Sequence, residues 1–322
     1  MEKLSRRAFT LSLPVAAFSA STALSSRSSR VQAQKLTPDV VTPLAQIAIG
    51  RFTITALNDG YVDMPFNYFP GSTPQETERA AAALFAVKPG GIRFMFNQYL
   101  VSDGDSRILI DAGPAGTLGK SGYMPQALKS LGISADSIDA VIITHMHQDH
   151  LGGLVSGGRK NFPNADIYVD RRDLAYWTDP GKRAAAPDFL KASFDLSLDV
   201  VRLYPKLQVT DGERQITRGV SIVDLTGHTP GHIGVRVEDG GQSLIMVSDM
   251  LFPVVHPARS STGFVFEQDP AAAQAMRARF FPRAAEEKAL IAATHMPFPG
   301  LGRIVAADGG LRWLHAEWAH QG

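Results

Sequence analysis

The sequence predicts a mixed α/β fold with its chemistry at the ends of strands, and three observations lead to this prediction. Short apolar and β-branched runs alternate with Ala- and Leu-rich segments of helical spacing. The stretch THMHQDHLGG, residues 144 to 153, directly follows the apolar run IDAVII. Three later apolar runs also end in ligand-type residues, at His228, Asp249 and His295. Rigid strands that end in such side chains are typical of enzymes.

The first half of the chain predicts two hairpins and two helices. QIAIGRFTITALNDGYVDMP predicts a strand pair that turns at residues 58–60, and FMFNQYLVSDGDSRILIDAG predicts a second hairpin that turns at residues 103–105. Residues 73–87 are rich in Ala and Glu and predict a helix. MPQALKSLGI predicts another helix, because its apolar residues recur at helical spacing up to Gly132. A strand then leads into the histidine-rich stretch.

The second half repeats this alternation. ADIYVDR predicts a strand, DLAYW the start of a helix, and residues 188–198 a further helix. GVSIVDLTGH, SLIMVSD and ALIAATH predict three strands that lead to the three ligand-type residues named above. No repeat, low-complexity tract or linker interrupts the pattern. We therefore predict one domain over residues 36–322.

Residues 1–33 have the features of an export signal. They combine a basic start with adjacent Arg6 and Arg7, a mildly apolar middle that Pro14 interrupts, and small residues near Ala33. SRRAFTL resembles the twin-arginine signal of bacterial export, with Thr10 where that pattern often has an apolar residue. The apolar stretch is shorter than the roughly 20 residues that a membrane span requires. We predict a periplasmic protein whose mature form has no membrane span.

Composition excludes several classes of protein and of site. Apolar residues make up 44% and charged residues 20% of the 322 residues, as in an ordinary globular enzyme. The formal net charge is +1, and removal of the N-terminal segment makes it slightly negative. Because no Lys/Arg-rich run is present either, nucleic acid is not expected as a partner. The chain has no cysteine, so nitrogen and oxygen must hold any metal.

The histidine-rich stretch has the composition and spacing of a metal site. His145 and His147 project the same way from an extended segment, while Asp149 and His150 lie beyond the bend and face a second position. Without a cation, four titratable groups buried so close together would cost on the order of several kcal/mol. Imidazole and carboxylate suit zinc, iron, manganese or cobalt, and a carboxylate is the usual bridge between two such ions.

Together with three later motifs, this stretch resembles the H-x-H-x-D-H signature of the metallo-β-lactamase-fold hydrolases. The later motifs are GHTPGH around His228, SDM around Asp249 and ATHMPFPG around His295, in the order that the family shows. The resemblance implies a four-layer αββα sandwich. It also implies two metal positions that share Asp249, one held by His145, His147 and His228, the other by Asp149, His150 and His295.

The resemblance further implies two divalent ions that make a shared water reactive. Zinc is expected, with manganese, iron and cobalt as alternatives, at a separation of about 3.5–4 Å that brings the pKa of the water towards neutrality. Asp149 and Asp249 are the predicted catalytic residues: Asp149 takes up a proton as the reacting centre collapses, and Asp249 bridges the ions. Asp111 and His232 are expected to lie behind the ligands and orient them.

Several departures narrow the branch of the family. Asp249 stands where β-lactamases of the common zinc subclass carry Cys, and His147 stands where flavin-linked di-iron relatives carry Glu. The short stretch after His295 leaves no room for the helical domain of glyoxalase-II-like thioesterases. The branch that remains contains methyl parathion hydrolase, its dihydrocoumarin- and aryl-ester-hydrolysing relatives and the N-acyl homoserine lactonases.

Alignment with that branch implies an apolar leaving-group pocket, which suits an aryl or acyl group and offers no clamp for a charged one. Its predicted lining is Met64, Phe66, Leu118, Trp177, Leu190 and Phe252. Lactonases of this fold often place a tyrosine a few residues after the bridging aspartate, where this chain has DMLFPVV. Because Phe252 cannot donate a hydrogen bond, esters, aryl lactones and phosphotriesters are favoured.

The sequence therefore predicts a periplasmic hydrolase of lactones and aryl esters, with two divalent metal ions and with organophosphate triesterase activity as a main or side reaction. Its partner is a small apolar ester, lactone or phosphotriester, and a homodimer is an open alternative to a monomer. A dedicated N-acyl homoserine lactonase, active in quorum quenching, and a metal-binding protein without catalysis are the alternatives. The native substrate, the native metal and the signal cleavage site stay open at this point.

Overall fold

Two mixed β-sheets form the centre of the fold. A computed structural model describes residues 43–316. Within that range the first eleven strands are β1 (Leu44–Ile49), β2 (Phe52–Met64), β3 (Val87–Lys88), β4 (Gly91–Ser102), β5 (Arg107–Ile110), β6 (Lys120–Ser121), β7 (Ala140–Ile142), β8 (Val155–Ser156), β9 (Arg159–Lys160), β10 (Asp166–Asp170) and β11 (Gln208–Thr210). All of them join the first sheet except β8 and β9, which pair with each other.

The second sheet takes the remaining strands of the described range, and each follows its neighbour in chain order across the sheet. They are β12 (Arg214–Thr217), β13 (Val220–Asp224), β14 (Ile233–Asp239), β15 (Gln242–Met246), β16 (Leu290–Ala292), β17 (Leu301–Ala307) and β18 (Gly310–His315). Strands β15 and β16 are parallel, because α7 connects them across the outer face, while the other neighbours are antiparallel.

Helices cover the outer face of each sheet. Within residues 43–316 they are α1 (Pro74–Ala83), α2 (Met124–Ser130), α3 (Gln148–Leu151), α4 (Arg171–Trp177), α5 (Pro180–Ala185), α6 (Asp188–Leu203) and α7 (Pro270–Glu286). Local signals start them: Thr73 and Glu76 form a capping box at α1, and the Asp269 side chain accepts the Ala272 N–H at α7.

Three buried clusters define the order of the layers. One cluster joins the facing sides of the two sheets, a second joins the first sheet to α2, α4 and α6, and a third joins the second sheet to α7. Representative members are Ile54, Ile142 and Val235 between the sheets, Leu128, Val141 and Phe194 beneath the first helices, and Ile245, Phe281 and Ile291 beneath α7. The order is helices, sheet, sheet, helices, which confirms the predicted four-layer αββα sandwich.

Parallel strands in the first sheet bring several loops to one edge. Strands β5, β7 and β10 run parallel, and all three residues of β7 are buried. Strands covered on both faces read as continuous apolar runs, which explains the IDAVII pattern. The loops after the carboxyl ends of β5 and β7 therefore lie side by side at the edge where the histidine-rich stretch begins.

The predicted turn at residues 58–60 is wrong. The chain turns at residues 50–51, and β2 continues through the Asn-Asp-Gly sequence as one strand. The register against β4 shifts here, so the sequence forms a β-bulge. The bulge turns the Asp59 carboxylate inward, where the Met124 N–H donates to it at 2.6 Å. Turns and bulges both use glycine at positive φ, here +125° at Gly60, so the sequence pattern does not separate them.

The other predicted elements are confirmed with small shifts. Residues 103–105 join β4 to β5, residues 73–87 contain α1 and begin β3, and MPQALKSLGI contains α2. The helix predicted over residues 188–198 continues to Leu203 as α6. Strands β13, β15 and β16 are those predicted before the three later ligand-type residues.

The described residues all fall within one compact unit. None of the helices in residues 43–316 has both the length and the apolar character needed to cross a bilayer. The predicted export signal and the predicted start of the domain at residue 36 lie outside the described residues, so both stay predictions.

Candidate metal centre

The candidate ligands converge where strands of both sheets end. The loop after β7 brings four of them, and the loops after β13, β15 and β16 bring one each. Their ligand atoms form two groups, each within 4.8 Å, and the groups are those that the resemblance implied. The first group is His145, His147, His228 and Asp249, and the second is Asp149, His150 and His295.

In the first group, three imidazoles present nitrogens to one point. The Nδ1 atom of His147 lies 2.9 Å from Nε2 of His145 and 3.1 Å from Nε2 of His228. The ring planes are nearly perpendicular to one another, at 80–89°. The Oδ2 atom of Asp249 lies 3.3 Å from the His228 nitrogen. Three nitrogens and one carboxylate oxygen are a tetrahedral donor set for a first-row divalent cation.

In the second group, the same aspartate faces two further imidazoles. The Oδ1 atom of Asp249 lies 3.2 Å from Nε2 of His150 and 3.0 Å from Nε2 of His295. Asp149 Oδ2 lies 3.6 Å and 3.5 Å from the same two nitrogens. Oδ2 of Asp249 also lies 3.1 Å from Nε2 of His295, so the carboxylate reaches donor atoms of both groups, as a bridging carboxylate requires.

An orphaned buried atom supports the fit of a cation at the second group. Among the described residues, Nε2 of His150 is buried and forms no well-aligned hydrogen bond, although Asp249 Oδ1 lies 3.2 Å away. Buried polar nitrogens are nearly always satisfied, so such an atom indicates a missing ligand. With only nitrogen and oxygen donors in both groups, the residues fit two first-row divalent cations.

The electrostatics of the first ligand group also favour cation binding. Burial, reinforced by the neighbouring imidazoles, holds the pKa of His145 well below its usual value, and burial does the same for His147. Both rings are therefore neutral and carry free lone pairs at physiological pH. Burial raises the pKa of Asp249, but His295, His150 and His145 outweigh it and hold that pKa well below the usual value, so the carboxylate is charged.

Asp111 contacts the candidate ligand His150 through the ring nitrogen that does not face Asp249. It lies in the loop after β5, at φ +61°, and its Oδ2 is 2.8 Å from Nδ1 of His150. Its other oxygen accepts the Thr144 N–H at 2.8 Å. A carboxylate at Nδ1 assigns the proton there and leaves Nε2 of His150 for a cation.

His232 packs behind the first group. Its ring is fully buried, 5.2 Å from the ring of His145 and 5.7 Å from that of His228. Its Nδ1 lies 3.0 Å from the Leu225 carbonyl oxygen, to which it donates. The orienting roles of Asp111 and His232 stay predictions, because contacts do not measure their effect on metal binding.

Asp173 is a supporting residue that the sequence did not indicate. It is buried in α4, where its carboxylate accepts the Met146 N–H at 2.9 Å, the Thr229 hydroxyl at 3.0 Å and the Gly231 N–H at 2.6 Å. It thus joins the loop after β7 to the loop that carries His228. In the sequence it is one acidic residue in a helix start, so only the tertiary contacts distinguish it.

A cleft of about 470 Å³ opens onto the two ligand groups, with His147, Asp149, Asp249 and His295 in its floor. Its walls are mainly apolar, and the lining residues outside the ligands are Val62, Asp63, Met64, Pro65, Tyr68, Leu118, Gln148, Asp188, Phe189, Ala192, Ser193, Phe264 and Phe266. Within the described chain, no lysine or arginine lines it. A larger cavity of about 660 Å³ lies beside α2, but none of the candidate ligands is among its lining residues.

Two of the six predicted pocket residues, Met64 and Leu118, line this cleft. The prediction is wrong for Trp177, Leu190 and Phe252, which are 0%, 4% and 0% exposed and belong to the core. Adjacent helical residues point about 100° apart, so Leu190 faces inward while Phe189 is 47% exposed and lines the cleft.

Three of the residues predicted to line the pocket pack elsewhere. Trp177 supports the site from beneath, because its ring packs edge-on at 5.0 Å against His147. Phe252 stacks on Phe94 at 5.4 Å, behind His295. Phe66 packs into the aromatic cluster below β2 and is not among the cleft residues.

The chain is similar in sequence and in structure to known hydrolases. Residues 92–310 match the model of the metallo-beta-lactamase superfamily. The hydrolase AbOPH of the beta lactamase superfamily superposes with a TM-score of 0.80 at 29% identity, over 87% of this chain and 99% of that chain. AidC, a dizinc quorum-quenching lactonase in complex with the product N-hexanoyl-L-homoserine, superposes with a TM-score of 0.80 at 26% identity, over 88% and 100%.

Curated relatives match over shorter ranges. Hydroxyacylglutathione hydrolase of Aeromonas salmonicida is 26% identical over 54% of this chain and 51% of its own length. N-acyl homoserine lactonase AiiB of Agrobacterium fabrum is 26% identical over 42% of this chain and 50% of its own length. The chain thus spans about half the length of these curated relatives. On the family match, the shared fold and the two groups of metal ligands, the chain belongs to the metallo-beta-lactamase superfamily.

Proposed function

We propose that the chain is a hydrolase of uncharged lactones and aryl esters that uses two divalent metal ions, with zinc as the native metal. Phosphotriesters are a further proposed class of substrate. The observation that carries the proposal is that both ligand groups open onto one cleft with apolar walls. The similarity to AbOPH and to the dizinc lactonase AidC over nearly the whole of their chains supports it.

The chain supplies three things to such a reaction. Asp249 presents its carboxylate to both ligand groups, and Asp149, whose side chain is 13% exposed, lines the cleft, where in this proposal it takes up a proton at the reacting centre. The apolar walls exclude water around the leaving group. When bound, two cations supply a reactive water and polarise the oxygen of the substrate.

The charge of the cleft argues for uncharged substrates. Its charged lining residues besides the ligands are Asp63 and Asp188. Arg93 pairs with Asp63 at 2.8 Å and 3.0 Å, and Lys191 pairs with Asp188 at 2.7 Å, but neither base is among the lining residues. A carboxylate or phosphate group on a substrate would therefore meet no counter-charge from the walls.

The absence of a hydroxyl at Phe252, which disfavours a lactonase on sequence grounds alone, does not affect the cleft surface. Phe252 is 0% exposed and lies beneath the cleft, so its missing hydroxyl removes nothing from the surface that a substrate contacts. Lactones therefore remain on equal terms with esters and phosphotriesters. The similarity to AidC makes an N-acyl homoserine lactone the first lactone to test.

A substrate panel tests the proposal. The metal-loaded protein is assayed with dihydrocoumarin, 4-nitrophenyl acetate, methyl paraoxon and N-hexanoyl homoserine lactone. We expect turnover of at least one lactone or aryl ester, and the relative kcat/KM values rank the classes. Full metal occupancy without turnover of any of the four substrates would instead support a metal-binding protein without catalysis.

We also propose that the protein is exported to the periplasm by the twin-arginine route. The support is the sequence pattern of residues 1–33. Replacement of Arg6 and Arg7 by Lys, followed by cell fractionation, is expected to keep the protein in the cytoplasm. Unchanged periplasmic accumulation of that variant would contradict this route.

A further inference from the structure

The cleft contains uncharged hydrogen-bond donors that the chemistry at the ligand groups does not use. They are Tyr68, Gln148 and Ser193. Ser193 is only 2% exposed, and its hydroxyl oxygen accepts the Gln148 backbone N–H at 3.0 Å, so it presents little surface to a substrate. Within residues 43–316, the Tyr68 hydroxyl and the Gln148 side-chain amide have no hydrogen-bond partner. These two groups are therefore free to bind substrate.

The position of Tyr68 is fixed from two sides. Its backbone N–H donates to the Pro65 carbonyl at 3.1 Å, and its carbonyl accepts the Val265 N–H at 3.0 Å. Its ring packs against Phe266 at 6.1 Å. A tyrosine held in this way presents its hydroxyl at a low cost in conformational entropy.

The two free donors differ in their relation to the candidate ligands. Gln148 lies between His147 and Asp149 in the sequence and lines the cleft, so it belongs to the part of the wall next to the ligand groups. Tyr68 has no ring contact with a ligand imidazole among the described residues. Its ring contacts Phe266 at 6.1 Å, and the Phe266 ring in turn lies 6.2 Å from His147. The Tyr68 hydroxyl is therefore available to a part of the substrate other than the reacting ester.

We propose that Tyr68 is a specificity-determining residue whose hydroxyl donates a hydrogen bond to a second carbonyl oxygen of the substrate. This inference rests on the proposed function and names a substrate class within it, namely lactones with an acylamino side chain. Such a lactone carries the second carbonyl in its amide, whereas an alkyl lactone of similar size does not. A free donor in an otherwise apolar wall favours the substrate that satisfies it over the one that leaves it unpaired.

Tyr68→Phe tests the inference, because it removes the hydroxyl and keeps the ring that packs on Phe266. The substrates are N-hexanoyl homoserine lactone and γ-decalactone, which share a five-membered ring and a chain of similar length. We expect kcat/KM for the acylamino lactone to fall roughly 3- to 10-fold, mainly through KM, as for the loss of one hydrogen bond. The value for γ-decalactone is expected to stay within about 2-fold.

Two control variants separate this role from others. Gln148→Leu is expected to lower kcat/KM for both lactones by a similar factor, because Gln148 lines the cleft between two candidate ligands and both substrates share the reacting ester. Tyr176→Phe is expected to change neither, since the Tyr176 hydroxyl bonds to Gln268 at 2.8 Å and does not line the cleft. The unfolding temperature of Tyr68→Phe is expected to match that of the wild type, because the hydroxyl has no protein partner.

The outcomes distinguish this inference from the proposed function. If the wild type hydrolyses both lactones and Tyr68→Phe leaves their ratio unchanged, the inference is wrong and the proposed function stands. If the wild type hydrolyses only lactones without an amide, the inference is again wrong. If the wild type hydrolyses neither lactone nor any aryl ester, the proposed function fails first and the inference with it.

Discussion

Asp249 is the residue on which both ligand groups depend. Its Oδ2 lies 3.3 Å from Nε2 of His228 in the first group and 3.1 Å from Nε2 of His295 in the second, its Oδ1 lies 3.2 Å from Nε2 of His150, and the side chain is 3% exposed. No other carboxylate among residues 43–316 belongs to the first group. Removal of this side chain therefore takes a ligand from one group and the nearest carboxylate from the other.

Asp249→Ala is expected to lower kcat by more than about 100-fold, beyond the usual range for residues that only support metal ligands. The bound metal is expected to fall from two equivalents to one or fewer, as measured by elemental analysis of the purified variant. Asp211→Ala is a matched control, because Asp211 is 73% exposed and belongs to neither ligand group. A variant that keeps two equivalents and wild-type activity would contradict the bridging position.

Asp111 contacts Nδ1 of His150 at 2.8 Å without belonging to a ligand group, and its predicted role in orienting His150 can be tested by substitution. Asp111→Asn keeps the shape but removes the negative charge that faces Nδ1 of His150. We expect the affinity for the weaker-bound metal to fall about 10- to 100-fold. Competition with a chelator measures this affinity, and circular dichroism checks that the variant is folded. Unchanged affinity would mean that His150 is oriented by packing alone.

At the scale of elements, the segment between β15 and α7, residues 247–269, forms one wall of the cleft through Phe264 and Phe266. It has little regular structure, and a buried ion pair fixes it instead. Arg277 of α7 donates to Glu267 at 2.5 Å and to the Ser260 carbonyl at 2.9 Å. The side chains of the pair are 1% and 0% exposed, so each buried charge is stabilised by the opposite charge of its partner.

His256 fixes the same segment from within. It accepts the Phe252 N–H at Nδ1 at 3.2 Å, and its Nε2 lies 2.9 Å from the Thr262 carbonyl, to which it donates. Burial, reinforced by the charge of Arg277, lowers the pKa of His256 to about 3, so the ring is neutral in the folded protein. His256 is therefore a buried residue that connects two parts of this segment through its ring nitrogens.

Arg277→Met is expected to destabilise the protein by about 3–5 kcal/mol, because it leaves the buried Glu267 carboxylate unpaired. Denaturant unfolding at neutral pH measures this loss. The double variant Arg277→Met with Glu267→Leu removes both charges and is expected to recover most of it. A single variant as stable as the wild type would show that water reaches Glu267 and that the ion pair does not fix the segment.

At the scale of the whole molecule, the ligands connect the two sheets. Four come from the loop after β7 of the first sheet, and the other three come from loops after β13, β15 and β16 of the second. Each ligand group combines residues of both sheets. Bound cations would therefore tie the two halves of the sandwich together at this edge.

Metal removal is accordingly expected to lower the stability of the whole domain. A ligand that binds only the folded state at about 1,000 times its Kd adds about 4 kcal/mol. For a domain of this size we expect the unfolding temperature to fall by about 5–15 °C after chelation and to recover when zinc is added back. A differential scanning experiment measures the shift. Equal unfolding temperatures with and without metal would argue that the ligand loops are rigid without cations.

The sequence by itself determined the ligand set and the class of fold. Metal ligands are specific residue types that recur at fixed spacings after strands. The motifs around His145, His228, Asp249 and His295 can therefore be recognised from the sequence alone. Apolar runs and helical spacing likewise report local structure directly, which is why nearly all the predicted elements are present.

Only the tertiary structure decided what the cleft is made of. Phe189 and Leu190 are equally apolar neighbours, yet the rotation of α6 sends one to the cleft and the other to the core. Tyr68 reaches the cleft because its turn packs on the segment that carries Phe266, a contact between residues far apart in the chain. The direction in which a side chain points depends on what its element packs against, and that information is spread over the whole chain rather than held in any motif.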